Sequence, residues 1–273
     1  MKKVINAVKS NIRQILEIFV IIGAAILPQL VNLETLFKPY LDDNYISPDN
    51  WYWYLPLSQG KPLIMVALFI VAWLAVRKFN SNFIMNSINV YHDYPYGWYW
   101  FCAKVLGIHK CNLILVPIYM QFKLVINATF NEFPLNSDEY PTAKTEKIKV
   151  TKIHTNQSLN EINILLEDTY PIKNEQIPIS KRNLLTIKIS RNDGTTRGRH
   201  FSQNFIETTI NTVRTLDTIK EVNLYATTNP LNTMHIAKRV FSVADRGNIK
   251  HLYVFQQNNA GIRAFQNKGH KIY

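Results

Sequence analysis

Cysteine, glycine and acid are all scarce in this sequence. Its two cysteines, Cys102 and Cys111, exclude a disulfide scaffold, and their spacing matches no metal or redox motif. Nine glycines and twelve prolines in 273 residues exclude collagen-like and low-complexity chains. The familiar catalytic signatures are missing: there is no G-x-x-x-x-G-K-[ST], no G-x-G-x-x-G, no G-x-S-x-G and no H-E-x-x-H. Seven histidines are scattered, and none pairs with cysteine or acid at a ligand spacing. Asp193 and His200 are the one arrangement that a hydrolytic reading can use. The expectation is binding rather than chemistry: no enzyme, no metal and no cofactor. Only 19 Asp and Glu oppose 31 Lys and Arg, giving a formal charge of +12.

Hydrophobic residues are plentiful, at 47% of the chain, which excludes disorder. Two long uncharged runs stand out, residues 18–33 (IFVIIGAAILPQLVNL) and 62–76 (PLIMVALFIVAWLAV). Each lies at the short edge of what spans a bilayer and is extended by its flanks. Ile15 and Leu16 prolong the first, while Lys61 and Arg77 can snorkel from the ends of the second. A pair of buried helices in a soluble protein is the alternative, but such helices usually keep a polar face. A cleaved signal peptide is the alternative for the first run. No A-x-A-like site follows it, and the second run would still anchor the product.

The flanking charges orient the two spans. Residues 1–14 carry four basic residues (Lys2, Lys3, Lys9, Arg13) and no acid. The connector 34–60 holds four acids (Glu34, Asp42, Asp43, Asp49) and one lysine, and Arg77 and Lys78 follow the second run. The positive-inside rule puts both termini in the cytoplasm and the connector outside. Residues 51–54 (WYWY) read as an interfacial aromatic belt. The expected organisation is a two-pass membrane region over 1–90 and a cytoplasmic α/β domain over 91–273.

The cytoplasmic part opens with the densest aromatic stretch, 91–101 (YHDYPYGWYWF), placed on the membrane surface, at the junction of the two parts or in the soluble core. Residues 112–133 are rich in Val, Ile, Tyr and Phe and predict one long or two short strands. Residues 147–153 (KIKVTKI) and 161–166 (EINILL) predict two more, half-exposed.

From residue 184 onward strands alternate with helices. The strands are 184–190, 222–227 and 251–256. Between the first two, Ser202 precedes a helix whose apolar positions Ile206, Ile210, Val213, Leu216 and Ile219 step by three or four. Asn229 then caps a second helix, with Pro230 at its first position, running to Gly247. A short helix over 260–268 and a closing strand over 270–273 complete the pattern. This rhythm predicts right-handed crossovers and a mainly parallel, Rossmann-like sheet.

Such sheets bind ligands beyond the carboxyl ends of their strands. Three loops qualify: 191–200 (RNDGTTRGRH), 227–230 (TTNP) and 257–259 (QNN). With strands 184–190 and 222–227 side by side, Arg191, Arg197, Arg199, Thr227, Thr228, Asn229, Gln257 and Asn258 become candidate ligand-binding residues. A helix amino terminus would add its positive end. Arginine, hydroxyl and amide groups suit a phosphorylated, nucleotide-like anion. Residues 142–273 hold twenty basic residues against ten acids. That excess fits anionic lipid, nucleic acid or a compact polyanion, and composition does not separate them.

The strand-loop-helix pattern of 222–230 (VNLYATTNP), the helix through Phe241 and the strand 251–256 (HLYVFQ) resembles the second half of SAVED or CARF-type sensor domains. Those are Rossmann-like domains of bacterial anti-phage systems, and some follow two transmembrane helices. The resemblance covers about ninety residues. It implies a cyclic oligonucleotide as the ligand class. The leading expectation is a membrane effector, a homo-oligomer, that binds this signal and passes the change to its two transmembrane helices, with nucleic acid not expected as a partner. The competing reading is a membrane-anchored scaffold of an export or conjugation assembly that binds a protein. An enzyme acting on a nucleotide or lipid head group ranks third.

Overall fold

The computed structural model describes residues 2–31, 60–135, 137–142, 146–154, 160–192, 199–216, 218–242 and 248–273. Arg197, Asp193, Gly247, the connector acids and the 51–54 aromatics lie outside the described residues. The chain divides into two compact units: Met1–Val90 with Trp100–His109, and Tyr91–Tyr99 with Lys110–Tyr273.

In the first unit, α1 (Lys2–Leu30) and α2 (Gly60–Phe79) pack against each other. They run antiparallel: Gln29 meets Met65 at one end, and Arg13 meets Asn80 at the other. Val8–Leu30 and Pro62–Phe79 have mean hydropathies of 1.6 and 1.9 and are long and apolar enough to cross a membrane. Only 22% and 6% of them is buried. Phe19, Val20, Leu27, Val66, Val71 and Leu74 all face outward. A soluble core helix would bury such side chains at a gain of about 1.5–3 kcal/mol each. Lipid accepts them at no cost.

Helix α3 (Tyr96–Lys104) starts in the second unit and ends in the first. It carries part of the aromatic stretch, and within the second unit Tyr99 is fully buried against Phe130. The helix ends in a tight turn at Gly107 (φ 73°), where an added Cβ would lie 3.0 Å from the Arg77 side chain.

The second unit is built on a six-stranded sheet. Its strands are β1 (Lys147–Ile153), β2 (Glu161–Glu167), β3 (Thr186–Asn192), β4 (Glu221–Ala226), β5 (His251–Phe255) and β6 (His270–Lys271), in the order β1-β3-β2-β4-β5-β6. The central four are parallel, and both edge strands are antiparallel. The sheet is therefore mixed rather than mainly parallel. Strands 184–190 and 222–227 are not neighbours, because β2 lies between them. The side-chain patterns explain this order. β2 is buried along nearly its whole length, as a strand covered on both faces must be. β1 exposes Lys149 and Lys152, the charges that protect an edge strand from further pairing.

Two helices follow the strands as their sequences require. Helix α5 (Gln203–Arg214) begins at Ser202, whose hydroxyl accepts from Phe205 N. It buries Phe205, Ile206, Thr209, Ile210 and Val213 along one stripe. Helix α6 (Pro230–Ile236) is capped by Asn229 and continues as a π-helical turn over Ala237–Phe241.

Two further expectations, both of secondary structure, fail. The segment 112–133 forms helix α4 (Ile118–Ile126), not strands. Its β-branched and aromatic residues bury Met120, Phe122, Leu124 and Val125 against α6 and β5, so packing overrides strand propensity. Residues 260–268 form turns, with Arg263 at positive φ, and Phe265 buried beside Tyr225. On one face of the sheet Leu165, Tyr225 and Phe255 sit side by side in register, and Tyr225 stacks on Phe255 at 4.5 Å.

Candidate functional site

The parallel strands bring the ends of β2, β3, β4 and β5 to one carboxyl edge. There β2 continues into Asp168, and β3 carries Arg191 one residue before its end. Their side chains pair at 2.9 Å with 0% exposure on both. Glu146, just before β1, lies 3.9 Å from the same guanidinium.

Asp168 also organises the start of α6. Its Oδ2 accepts from the backbone N–H of Asn229 (3.0 Å), from Asn229 Nδ2 (3.0 Å) and from Asn232 Nδ2 (2.8 Å). Both amides also donate to the carbonyl of His200, at 2.9 and 3.0 Å. Asn232 Oδ1 accepts from Ser202 N, and the Ser202 hydroxyl donates to Glu146 Oε2 at 2.6 Å. One buried network thus ties β1, β2 and β3 to the first turns of α5 and α6. Burial pushes the Asp168 carboxyl above its ordinary range, while Arg191 and the amides of Asn232 and Asn229 pull it back down.

Each sequence candidate has a definite place. Arg191 is spent on Asp168 and is buried. Asn229 serves as cap and as a partner of Asp168, so the amino end of α6, expected to hold a ligand's phosphate, already faces a carboxylate. Thr227 donates to Tyr170 O, and Thr228 bonds Thr233. Gln257 bridges to Phe265, and Asn258 N donates to Ala264 O. Arg199 is exposed. Arg197 lies outside the described residues.

Beside this network opens a cavity of about 620 Å³, lined by Tyr140, Thr142, Phe201, Leu231 and His235 among others. Phe201 N donates to Pro141 O, which brings the 140–142 segment to the carboxyl edge. The Phe201 and His235 rings lie 5.2 Å apart. Burial raises the Tyr140 phenol above its ordinary value, and the nearby Arg199 charge opposes that rise. Burial, with Arg239 and Lys238, lowers His235 below its ordinary value. The cavity therefore offers aromatic faces, a neutral imidazole near pH 7 and an adjacent arginine, with the Asp138 carboxylate at its exposed rim. Its volume lies in the usual range for small-ligand sites.

Sequence reasoning missed Asp168, Asn232, Tyr140, Phe201 and His235. Asp168 directly ends an apolar strand, a position that marks the carboxyl edge. Tyr140 and Phe201 carry no local signal, since the bridge between Thr142 and Phe201 joins distant segments.

The family described as the SMODS- and Ubiquitin system-associated 2TM effector domain (SUa-2TM) matches residues 1–273. The chain belongs to the SUa-2TM family. Its two long apolar helices agree with that description. No curated protein matches the sequence. Among solved structures, the chain is similar to the Acinetobacter baumannii Cap4 SAVED/CARF-domain containing receptor. With the cyclic trinucleotide 2'3'3'-cAAA bound to that receptor, the TM-score is 0.42 at 8% identity, covering 64% of this chain and 41% of the receptor. With 3'3'3'-cAAA bound, it is 0.36 at 10% identity, covering 62% and 40%. This SUa-2TM chain thus spans about two fifths of the receptor's length.

Proposed function

We propose that this SUa-2TM protein is a two-pass membrane effector of anti-phage defence whose α/β unit binds a nucleotide-like anionic signal, a cyclic oligonucleotide by preference, and converts binding into a membrane response. The observation that carries the ligand class is the carboxyl-edge cavity with Tyr140, Phe201 and His235 on its walls and Arg199 beside it. Aromatic rings accept bases by stacking, at about 1–3 kcal/mol each. Arginine accepts phosphate in a bidentate fork. The buried Asp168–Arg191 network holds the adjoining helix starts in place, and the exposed Arg199 meets the ligand. The protein acts by binding and not by catalysis, as a homo-oligomer in the cell membrane. A ligand shifts only an equilibrium in which it prefers one state. Ligand-driven change in the packing of protomers is the state that the two helices report.

The test is calorimetry of the full-length chain in uncharged detergent against a panel of cyclic oligonucleotides, together with dye release from vesicles carrying the protein. Phe201→Ala and Arg199→Ala each weaken binding about ten- to a hundredfold. They leave melting unchanged within about 0.5 kcal/mol for the exposed Arg199. If no nucleotide binds, or if both variants bind as the natural sequence does, the ligand reading is wrong and the protein-binding scaffold takes its place.

A further inference from the structure

A second cavity, of about 570 Å³, opens on the flank of the α/β unit beside the edge strand β6. Tyr96, Tyr119, Lys123, Lys268, His270 and Lys271 are among its lining residues. Three of these are lysines, and none of the lining residues is acidic among the described residues. The lysines Lys123, Lys268 and Lys271 form no ion pair among the described residues. Lys123 instead lies over the Tyr96 ring, 5.0 Å from its centroid. A concave surface of one charge sign focuses its field on a counter-ion.

The walls are built rather than incidental. Tyr119 and His270 stack face to face, with centroids 3.6 Å apart and an interplanar angle of 8°. His270 Nε2 lies 3.1 Å from Gln266 Oε1, which fixes the ring's rotation. His270 also pairs with Val254 in the β5–β6 ladder. The strand reaches that place because residue 269 is glycine: a Cβ there would sit 2.7 Å from the Phe255 ring. Asp93 Oδ1 accepts from the Tyr119 hydroxyl at 3.4 Å and its charge is felt at His270, but it is not one of the lining residues.

We infer that this cavity binds a small phosphate-bearing anion, with Lys123, Lys268 and Lys271 on the phosphate and the stacked Tyr119–His270 pair as its aromatic wall. It is separate from the carboxyl-edge cavity and does not rest on the function proposed for that one. Phosphate is the shared chemistry of two sources, a soluble phosphate compound and an anionic lipid head group.

The experiment titrates full-length protein in uncharged detergent with inorganic pyrophosphate and, separately, with dioctanoyl phosphatidylglycerol, using dioctanoyl phosphatidylcholine as the control. Saturable binding of pyrophosphate alone assigns a soluble phosphate. Binding of phosphatidylglycerol alone assigns a lipid head group. Binding of both makes the phosphate group itself the determinant. In each case Lys123→Gln and Lys268→Gln weaken binding about tenfold, and Lys268→Arg retains it. Affinity also rises as pH falls from 7.5 to 6. Burial, Lys123 and Lys268 lower the His270 pKa against the opposing pull of Asp93, and a bound anion favours the protonated ring. Lys268 is exposed, so its variant reads the site even where Lys123→Gln folds poorly. Arg199→Ala and Phe201→Ala leave this binding unchanged. Absence of saturable binding by both probes, or unchanged affinity in Lys268→Gln, overturns the inference.

Discussion

Asp168 and Arg191 form an ion pair at 2.9 Å that neither side chain shares with solvent. Two adjacent parallel strands end in opposite charges, and the pair holds the place where a ligand's phosphate was expected. Desolvation makes such a pair a poor source of net stability, but breaking it is costly.

The two halves of the pair are not equivalent. Arg191→Met leaves two buried carboxylates, Asp168 and Glu146, facing one another without a cation. It should cost about 3–5 kcal/mol. Asp168→Asn leaves Arg191 with Glu146 and keeps a carbonyl oxygen for the amides of Asn229 and Asn232, so it should cost about 1–3 kcal/mol. Thermal melting of the full-length protein in detergent checks the order. Equal costs would mean that Glu146 plays no part.

This network also shows where the sequence is legible and where it is not. The caps Ser202 and Asn229 are visible in the sequence because a cap is a local event: one side chain and a backbone N–H three residues on. The strands 184–190, 222–227 and 251–256 are visible because burial on both faces requires continuous apolar runs. The position of β2 between β3 and β4 is not local. It follows from comparing the burial each strand needs, and the charged edge strand β1 yields the centre to β2. Helix α4 was masked by its own β-branched and aromatic content, which its packing on α6 and β5 requires. Asn229 reads as a ligand amide until Asp168 is placed beside it. Its replacement by alanine therefore removes a cap and a partner of Asp168, and reports on folding as well as on binding.

The two histidines with lowered pKa values set a pH dependence. For both His235 and His270, burial is the first cause, aided by neighbouring lysine and arginine charges. Above the ordinary histidine value of about 6.5 the ring is neutral in both folded and unfolded chains. As pH falls through 6.5 the unfolded chain takes up protons first, so stability is lost with falling pH until the folded values are passed. Asp168, whose pKa is raised, contributes the opposite slope. His235→Gln should therefore flatten the loss of melting temperature between pH 7 and pH 5.5 relative to the natural sequence. An unchanged slope in that variant would show that His235 titrates normally.

The charge asymmetry around the two spans makes topology measurable. Four basic residues precede the first span and four acids lie in the connector. A reporter fused after Tyr273 should be active in the cytoplasm, and one inserted near residue 45 should be active outside. Neutralising Lys2, Lys3, Lys9 and Arg13 together with Arg77 and Lys78 should produce a mixed or inverted population. Exclusive exterior activity of the fusion after Tyr273 in the natural sequence would reverse the assignment.

Asn80 anchors the end of the helix pair. It is fully buried directly after α2. Its amide donates to Glu17 Oε2 at 2.7 Å and to Leu106 O at 3.0 Å, and its oxygen accepts from Arg13 Nη2 at 2.8 Å. Arg13 in turn pairs with Glu17 at 2.9 Å and lies over the rings of Phe79 and Phe83. Trp73 and Arg77 donate to the carbonyls of Val105 and Lys104, so α1, α2 and the turn after α3 share one clasp. Asn80→Ala removes three hydrogen bonds but leaves the Arg13–Glu17 pair intact, and should cost about 1–3 kcal/mol. Asn80→Asp is nearly isosteric but turns a donor toward Glu17 into a second acid beside it. Like charges in a buried site repel, and one arginine then serves two carboxylates. Asn80→Asp should therefore lower the melting temperature in detergent more than Asn80→Ala does at pH 8, and the gap should narrow at pH 5 as the added carboxyl takes up a proton. If alanine is the worse replacement at both pH values, the clasp works by packing rather than by its hydrogen-bond polarity.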